Sequence, residues 1–157
     1  MGTLQHIQHQ ISAVNDLIRI NNDRVTGYQK AHDDVTEPEL KELFEKYRDQ
    51  SEQFAAELRE QIHQLGGEPA GGTTLSGKFY RTWIDLKAKV TGKDALSALA
   101  ACEYGEEVAE KAYREALDDK ELIWQDKPVV TLLNRHLKAL IAAHERITDL
   151  RQPKNKV

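Results

Sequence analysis

Glu103-Tyr104-Gly105-Glu106-Glu107-Val108-Ala109-Glu110-Lys111-Ala112-Tyr113 is the stretch on which the fold turns. It continues a stripe of Leu96, Leu99, Glu103, Glu106, Ala109, Tyr113 and Leu117, the spacing of one helix face. Two carboxylates thus fall where a helix buries hydrocarbon. A buried carboxylate is costly unless it is paired, hydrogen-bonded or bound to metal. The chemistry of the chain is therefore expected beside Glu103 and Glu106.

Around this stretch a long helix is predicted from Asp94, a capping residue, to about Leu117. Downstream, Asp118 to Lys127 carries Leu122, Ile123 and Trp124, too apolar for solvent and expected to fold over an end of the structure. Asp126 can cap a final helix with Pro128 in its first turn and the seam Val130, Leu133, Leu137, Leu140, His144 and Ile147. Upstream, a first helix from about Thr3 to Val35 has the seam Leu4, Ile7, Ile11, Val14, Ile18, Asn21, Val25, Tyr28, His32 and Val35. Gly27 inside it costs about 1 kcal/mol relative to Ala, which close approach of another helix would offset. Thr36-Glu37-Pro38-Glu39 reads as a capping box opening a second helix through Leu40, Tyr47, Ser51, Phe54, Leu58, Ile62 and Leu65. Gly66-Gly67-Glu68-Pro69 stops it. A shorter amphipathic helix is predicted over about 75–90, with Leu75, Phe79, Trp83, Leu86 and Val90 on one face.

Short links make each pair of long helices an antiparallel hairpin. Residues 70–93 must then cross the bundle, a distance of roughly 40 Å at 1.5 Å per helical residue. The expected fold is all-α: a four-helix bundle of two antiparallel hairpins joined by a long crossover containing a short helix. It forms one domain over residues 1–151, with a charged tail at 152–157.

Composition narrows the function. A net charge of −4 with 31% charged residues gives no support to a nucleic-acid role. The one cysteine, Cys102, excludes an intrachain disulfide and reads as a buried, unreactive thiol. No run is apolar and long enough to span a bilayer, and no signal-peptide core opens the chain, so a cytoplasmic protein without integral membrane association is expected.

Several motifs together carry a resemblance over nearly the whole chain. They are Asn21-Asn22-Asp23-Arg24 with Gly27-Tyr28, Leu65-Gly66-Gly67-Glu68-Pro69, Leu75-Ser76-Gly77 with Trp83, Cys102-Glu103 with Gly105-Glu106, and Ala143-His144. The chain resembles a family of bacterial ferritin-like four-helix-bundle proteins classed as a domain of unknown function, distantly similar to di-iron ferritin-like proteins. Those hold metal with a Glu on each of two helices and a Glu-x-x-His on each of the other two. The resemblance maps the single glutamates, each followed seven residues later by Tyr, onto Asn21 with Tyr28 and Glu106 with Tyr113. It maps the Glu-x-x-His pairs onto Ser51 with Phe54 and Ile141 with His144. Glu106 and His144 alone keep a ligand type, with Glu103 one turn away, which implies a degenerate di-metal site.

Two readings of these residues follow. In the first, Asn21, Tyr28, Ser51, Glu106, Tyr113 and His144 form a buried polar network in which His144 bonds Glu106, and no cofactor is needed. The protein is then a non-catalytic binding, structural or stress-related bundle. In the second, Glu103, Glu106 and His144 hold a single iron, manganese or zinc ion for a metal-dependent oxidoreductase or iron-handling protein. A third reading makes the crossover an interaction module, since Lys78, Arg81, Lys87, Lys89 and Lys93 accompany Phe79, Tyr80 and Trp83. A homo-oligomer, dimer first, is the expected partner. His9 is expected opposite His63 as a surface pair near His6. His32 and His136 are expected to be satisfied, partly buried histidines.

Overall fold

The computed structural model describes residues 4–72, 94–119, 122 and 127–152. The predicted crossover helix with Trp83 and its basic residues, Ile123, Trp124, Asp126 and the end of the charged tail lie outside the described residues.

Four helices carry the architecture: α1 Leu4–Asp34, α2 Pro38–Gln64, α3 Asp94–Asp118 and α4 Lys127–Arg151. Among the described residues there is no strand, and no helix is long and apolar enough to cross a membrane. Each expected long helix forms, and the helix ends follow local chemistry, but the seams are only partly buried. Leu4 and Leu96 are exposed, and on α4 Val129, His136 and Ala143 are buried with Leu133, Leu140 and Ile147 in place of Val130, Leu137 and His144. Pro38 occupies the first turn of α2, where its missing N–H removes no bond. The expected capping box does not form. Glu37 is the N-cap without a side-chain cap bond, and the Thr36 amide instead donates to the Glu37 carboxylate at 3.2 Å. At the other end the Gly67 amide donates to Ile62 O and the Gly66 amide to His63 O, each at 3.0 Å. Gly66 has φ 79°. This is a Schellman stop, with glycine in the left-handed conformation it tolerates.

Beyond the stop the chain turns back along α1. The Asn15 amide donates to Glu68 O at 3.1 Å and accepts from the Ala70 amide at 2.8 Å, while Asn22 donates to Gly72 O at 2.8 Å. Gly67 lies so close to Ile11 that a Cβ on it would meet Ile11 Cδ1 at 2.9 Å. The start of the crossover is therefore pinned to the outside of the first hairpin.

α1 packs along α2 and along α3, α3 along α4, while α2 and α4 approach each other least. Gly27 and Gly105 both line the α1–α3 contact, with a residual cavity of about 10 Å³ between them and Ala101, Cys102 and Tyr28. Leu122 is 3% exposed, as its apolar character in a loop requires. The apolar core has two parts. One lies around Val14, Leu17, Ile18, Leu58, Ile62 and Leu133; the other lies around Tyr28, Phe44, Tyr47, Leu99 and Ile147. Between them sits a buried polar layer.

Candidate functional site

That layer is built from the seam positions that carry polar residues. Asn21, Arg24, Ser51, Glu106 and His136 are each 2% exposed or less, and Tyr113 is fully buried. On α1 the run Leu17, Asn21, Arg24, Tyr28 and Ala31 alternates steps of four and three, so one face delivers all five inward.

Arg24 is the centre of one half. Its Nε donates to Glu106 Oε1 at 2.7 Å and its Nη2 to Glu106 Oε2 at 2.8 Å, a two-pronged pair across the α1–α3 contact. Its Nη1 donates to Ser51 Oγ at 2.8 Å, and Ser51 in turn donates to Tyr47 O at 2.8 Å. Gln50 Oε1 accepts a further bond from Nη2 at 3.3 Å. The Tyr28 hydroxyl donates to Glu106 Oε2 at 2.6 Å. Both carboxylate oxygens are thus occupied by cationic or hydroxyl donors. Burial, the largest influence, lowers the Arg24 pKa, but the Glu106 carboxylate together with the Tyr28 and Tyr113 oxygens outweighs it and holds the group above the ordinary arginine value. Burial and the same carboxylate push the Tyr28 phenol well above its ordinary value, so Tyr28 is a fixed donor. Burial, then Glu106, pushes the Cys102 thiol up as well, in keeping with an unreactive cysteine.

The other half contains no buried cation; its one guanidinium, Arg135, lies at the exposed end. Asn21 Nδ2 donates to Tyr113 Oη at 2.9 Å and to Leu17 O at 2.9 Å. Asn21 Oδ1 is a buried acceptor without a hydrogen-bond partner. Tyr113 Oη lies 2.8 Å from His136 Nδ1, and His136 Nε2 lies 2.7 Å from Glu57 Oε1. Arg135 also donates to Glu57, at 2.9 Å. The His136 ring stacks on Phe54, with centroids 3.8 Å apart and planes 13° from parallel. Burial lowers the His136 pKa from 6.5 to about 4, against the raising effect of Glu57. The imidazole is therefore neutral at pH 7.

The two halves share a construction. Tyr113, Glu106 and His136 each lie 85 positions after Tyr28, Asn21 and Ser51. Tyr28 reaches Glu106 from α1, and Tyr113 reaches Asn21 from α3, so the two contacts are reciprocal across the hairpins. Arg24 breaks the symmetry, since the residue 85 positions later is Ala109.

Asn21, Tyr28, Ser51, Glu106 and Tyr113 therefore belong to the layer. His144 has other partners. Its Nδ1 bonds Glu110 and its Nε2 lies 3.9 Å from Glu107, on the outer side of the α3–α4 pair. The expected His144–Glu106 bond is replaced by Arg24–Glu106. Glu103 is engaged separately, accepting from Thr148 Oγ1 at 2.6 Å and from Arg151. Glu103, Glu106 and His144 thus each have their own partners. Among the described residues, no group of three or more His, Cys, Asp and Glu side chains is arranged to hold a metal ion. A di-metal centre does not fit this donor set: the one central carboxylate is bonded to a guanidinium, and Asn21 and Ser51 offer neutral oxygens.

Arg24, His136 and Glu57 were not marked as site residues from the sequence. The signal was present for two of them, because Arg24 continues the Leu17–Asn21–Tyr28 face and His136 sits three and four residues from Leu133 and Leu140. His9 Nε2 lies 3.3 Å from Asp119 Oδ2. His32 lies within 3.2 Å of Asp33 and Glu45, satisfied as expected.

Comparison with known proteins agrees with this architecture. A ferritin-like, diiron-carboxylate protein from Bacillus anthracis str. Ames matches with a TM-score of 0.75 and 18% identity, over 96% of this chain and 100% of that one. A point mutant of Mycobacterium smegmatis Dps1 matches with a TM-score of 0.75 and 18% identity, again over 96% of this chain and 100% of the other. At that identity the likeness carries the fold alone, an all-α ferritin-like four-helix bundle. No curated protein matches the sequence. The model of the family described as Domain of unknown function (DUF2383) matches residues 9–119, and the chain belongs to that family.

Proposed function

We propose that this protein is a non-catalytic ferritin-like bundle with a structural, binding or stress-related role, its centre closed by an ion pair in place of a metal pair. One observation carries the reading: the guanidinium of Arg24 takes both oxygens of Glu106 at 2.7 and 2.8 Å. A metal ion at Glu106 would have to displace a charge-assisted, two-pronged pair and leave a buried guanidinium without its anion. Losing the partner of a buried charge costs about 3–5 kcal/mol, which the metal would have to offset before binding at all. Homo-oligomerisation in the cytoplasm completes the proposal, supported by the exposed Leu96 beside the partly buried Leu40, Leu43 and Leu150, in a groove rimmed by Glu37, Glu39, Glu42, Lys46 and Arg146.

The test is calorimetric. Protein purified without a His tag is titrated with ferrous iron, manganese and zinc while its melting temperature is followed. A ligand of the native state stabilises by about 2.7 kcal/mol at a hundredfold excess over its dissociation constant. An unchanged melting temperature in all three metals is expected. Stabilisation that disappears in both Glu106→Gln and His144→Ala would overturn the proposal in favour of an iron-handling or oxidoreductase protein using Glu103, Glu106 and His144.

A further inference from the structure

Arg24 neutralises one half of the polar layer. The other half holds a buried phenol, an imidazole and a carboxylate in series, and the proposal above leaves them without a task. Their hydrogen bonds have a direction. Asn21 Nδ2 can only donate, so the Tyr113 oxygen accepts from it at 2.9 Å and turns its own hydrogen to His136 Nδ1 at 2.8 Å. Nδ1 is then the bare nitrogen, and Nε2 carries the hydrogen that Glu57 Oε1 accepts at 2.7 Å. The Glu57 side chain is 25% exposed, whereas that of His136 is wholly buried. The series therefore leads from the middle of the bundle to water in three groups. Stacking on Phe54 fixes the imidazole plane, so Nδ1 stays aimed at the phenol.

Burial raises the pKa of the Tyr113 phenol. Loss of the proton alone would leave a phenolate in a layer that offers it one amide donor, an expensive buried charge. Loss of an electron together with the proton leaves a neutral phenoxyl group. The only new charge is then on His136, whose Nε2 already faces a carboxylate. Tyr28 makes the contrast. Its acceptor, Glu106, is held by two bonds from Arg24, and a proton delivered there would dismantle the central ion pair.

We infer that Tyr113 is a redox-active residue that gives one electron to a diffusible radical oxidant while its hydroxyl proton passes to His136. The Tyr113 O–H bond breaks, the electron reduces the oxidant, and the proton forms an N–H bond at Nδ1. The imidazolium then releases its Nε2 proton to Glu57 and so to water. A small one-electron reductant of the thiol class restores the phenol, with a proton returning along the same path. The chemistry needs no metal, and it stands or falls separately from the closed centre proposed above.

The protein can be oxidised in a flash by photoexcited ruthenium tris-bipyridine with persulfate as the electron sink, and the radical followed by transient absorption and electron paramagnetic resonance. A tyrosine-type radical is expected in the wild type, formed more slowly in heavy water. It should be lost in Tyr113→Phe. His136→Phe keeps the aromatic packing against Phe54 and removes the acceptor, so the radical yield should fall sharply. Glu57→Gln, at a partly exposed position, should slow radical formation while circular dichroism stays unchanged. A radical only on tryptophan, an undiminished tyrosine signal in Tyr113→Phe, or equal formation rates in wild type and Glu57→Gln would each overturn the assignment.

Discussion

Tyr28 and Tyr113 occupy matching places in the two hairpins, and each reaches across the α1–α3 contact to the residue that matches the other's neighbour. Around Tyr28 the acceptor is a carboxylate bound to a guanidinium. Around Tyr113 the partners are an amide and a neutral imidazole. The packing geometry is shared while the electrostatics differ, and the difference traces to two positions. Glu106 stands opposite Asn21, and Arg24 stands where the second hairpin has Ala109. A four-helix scaffold thus accepts a charged solution and a neutral one at equivalent places, provided each buried polar group finds its partner.

The charged half should break hardest. Arg24→Ala strands Glu106 in the core and is expected to cost about 3–5 kcal/mol. Adding Glu106→Gln should recover part of that loss, because the buried charge goes with its partner. Urea unfolding of the three variants measures both terms; an Arg24→Ala protein as stable as the wild type would remove the distinction between the halves.

The neutral half should respond to acid. His136 has a folded pKa near 4 against 6.5 when unfolded, so the unfolded chain takes up the proton first as pH falls. The stability is fully present above pH 6.5 and is lost progressively down to about pH 4, by up to about 3 kcal/mol. Glu57 adds to the loss in the same direction: burial raises its pKa, but His136 and Arg135 hold it below the ordinary carboxylate range. His136→Phe should flatten the upper part of this profile in denaturation measured pH by pH. The guanidinium of Arg24 does not titrate there.

Smaller effects sharpen the same contrast. Tyr28→Phe removes a bond to a charged group and should cost about 1.5–3 kcal/mol. Tyr113→Phe removes neutral bonds and should cost about 0.5–1.5 kcal/mol. Reversal of that order would mean that the neutral chain is the stronger of the two. Least of all should His144 matter to the centre. It shares no partner with Glu106, so His144→Ala and Glu106→Gln should add to within about 0.5 kcal/mol in a double-mutant cycle.

The helices were legible because their signals are local. The seams through Ile18, Leu58 and Ile147, the proline at 38 and the glycines at 66 and 67 each act within a turn or two. Of the polar residues on those seams, Asn21, Ser51, Glu106 and Tyr113 are buried, while His144 is partly exposed. Their pairing was not legible, because it depends on how far one helix slides past another. Eight residues separate His136 from His144, about 12 Å of helix at 1.5 Å per residue, and only the first is level with Tyr113. Arg24, though part of the Asn21–Arg24 motif, is not assigned to the site by sequence for another reason. A lone arginine beside a seam reads as a solvated cation, since arginine is almost never fully buried unless paired, and its anion is 82 residues away.

A dissociable cation makes the integrity of a protein depend on supply: the stabilisation rises and falls with the free ion in solution. The cation at Glu106 is carried on α1 by a covalent tether, so it has no off-rate from the chain and meets no competitor for delivery. A chelator has nothing to remove there, and scarcity of metal cannot empty the place. For the Arg24–Glu106 centre, the supply of the counter-ion is settled at translation.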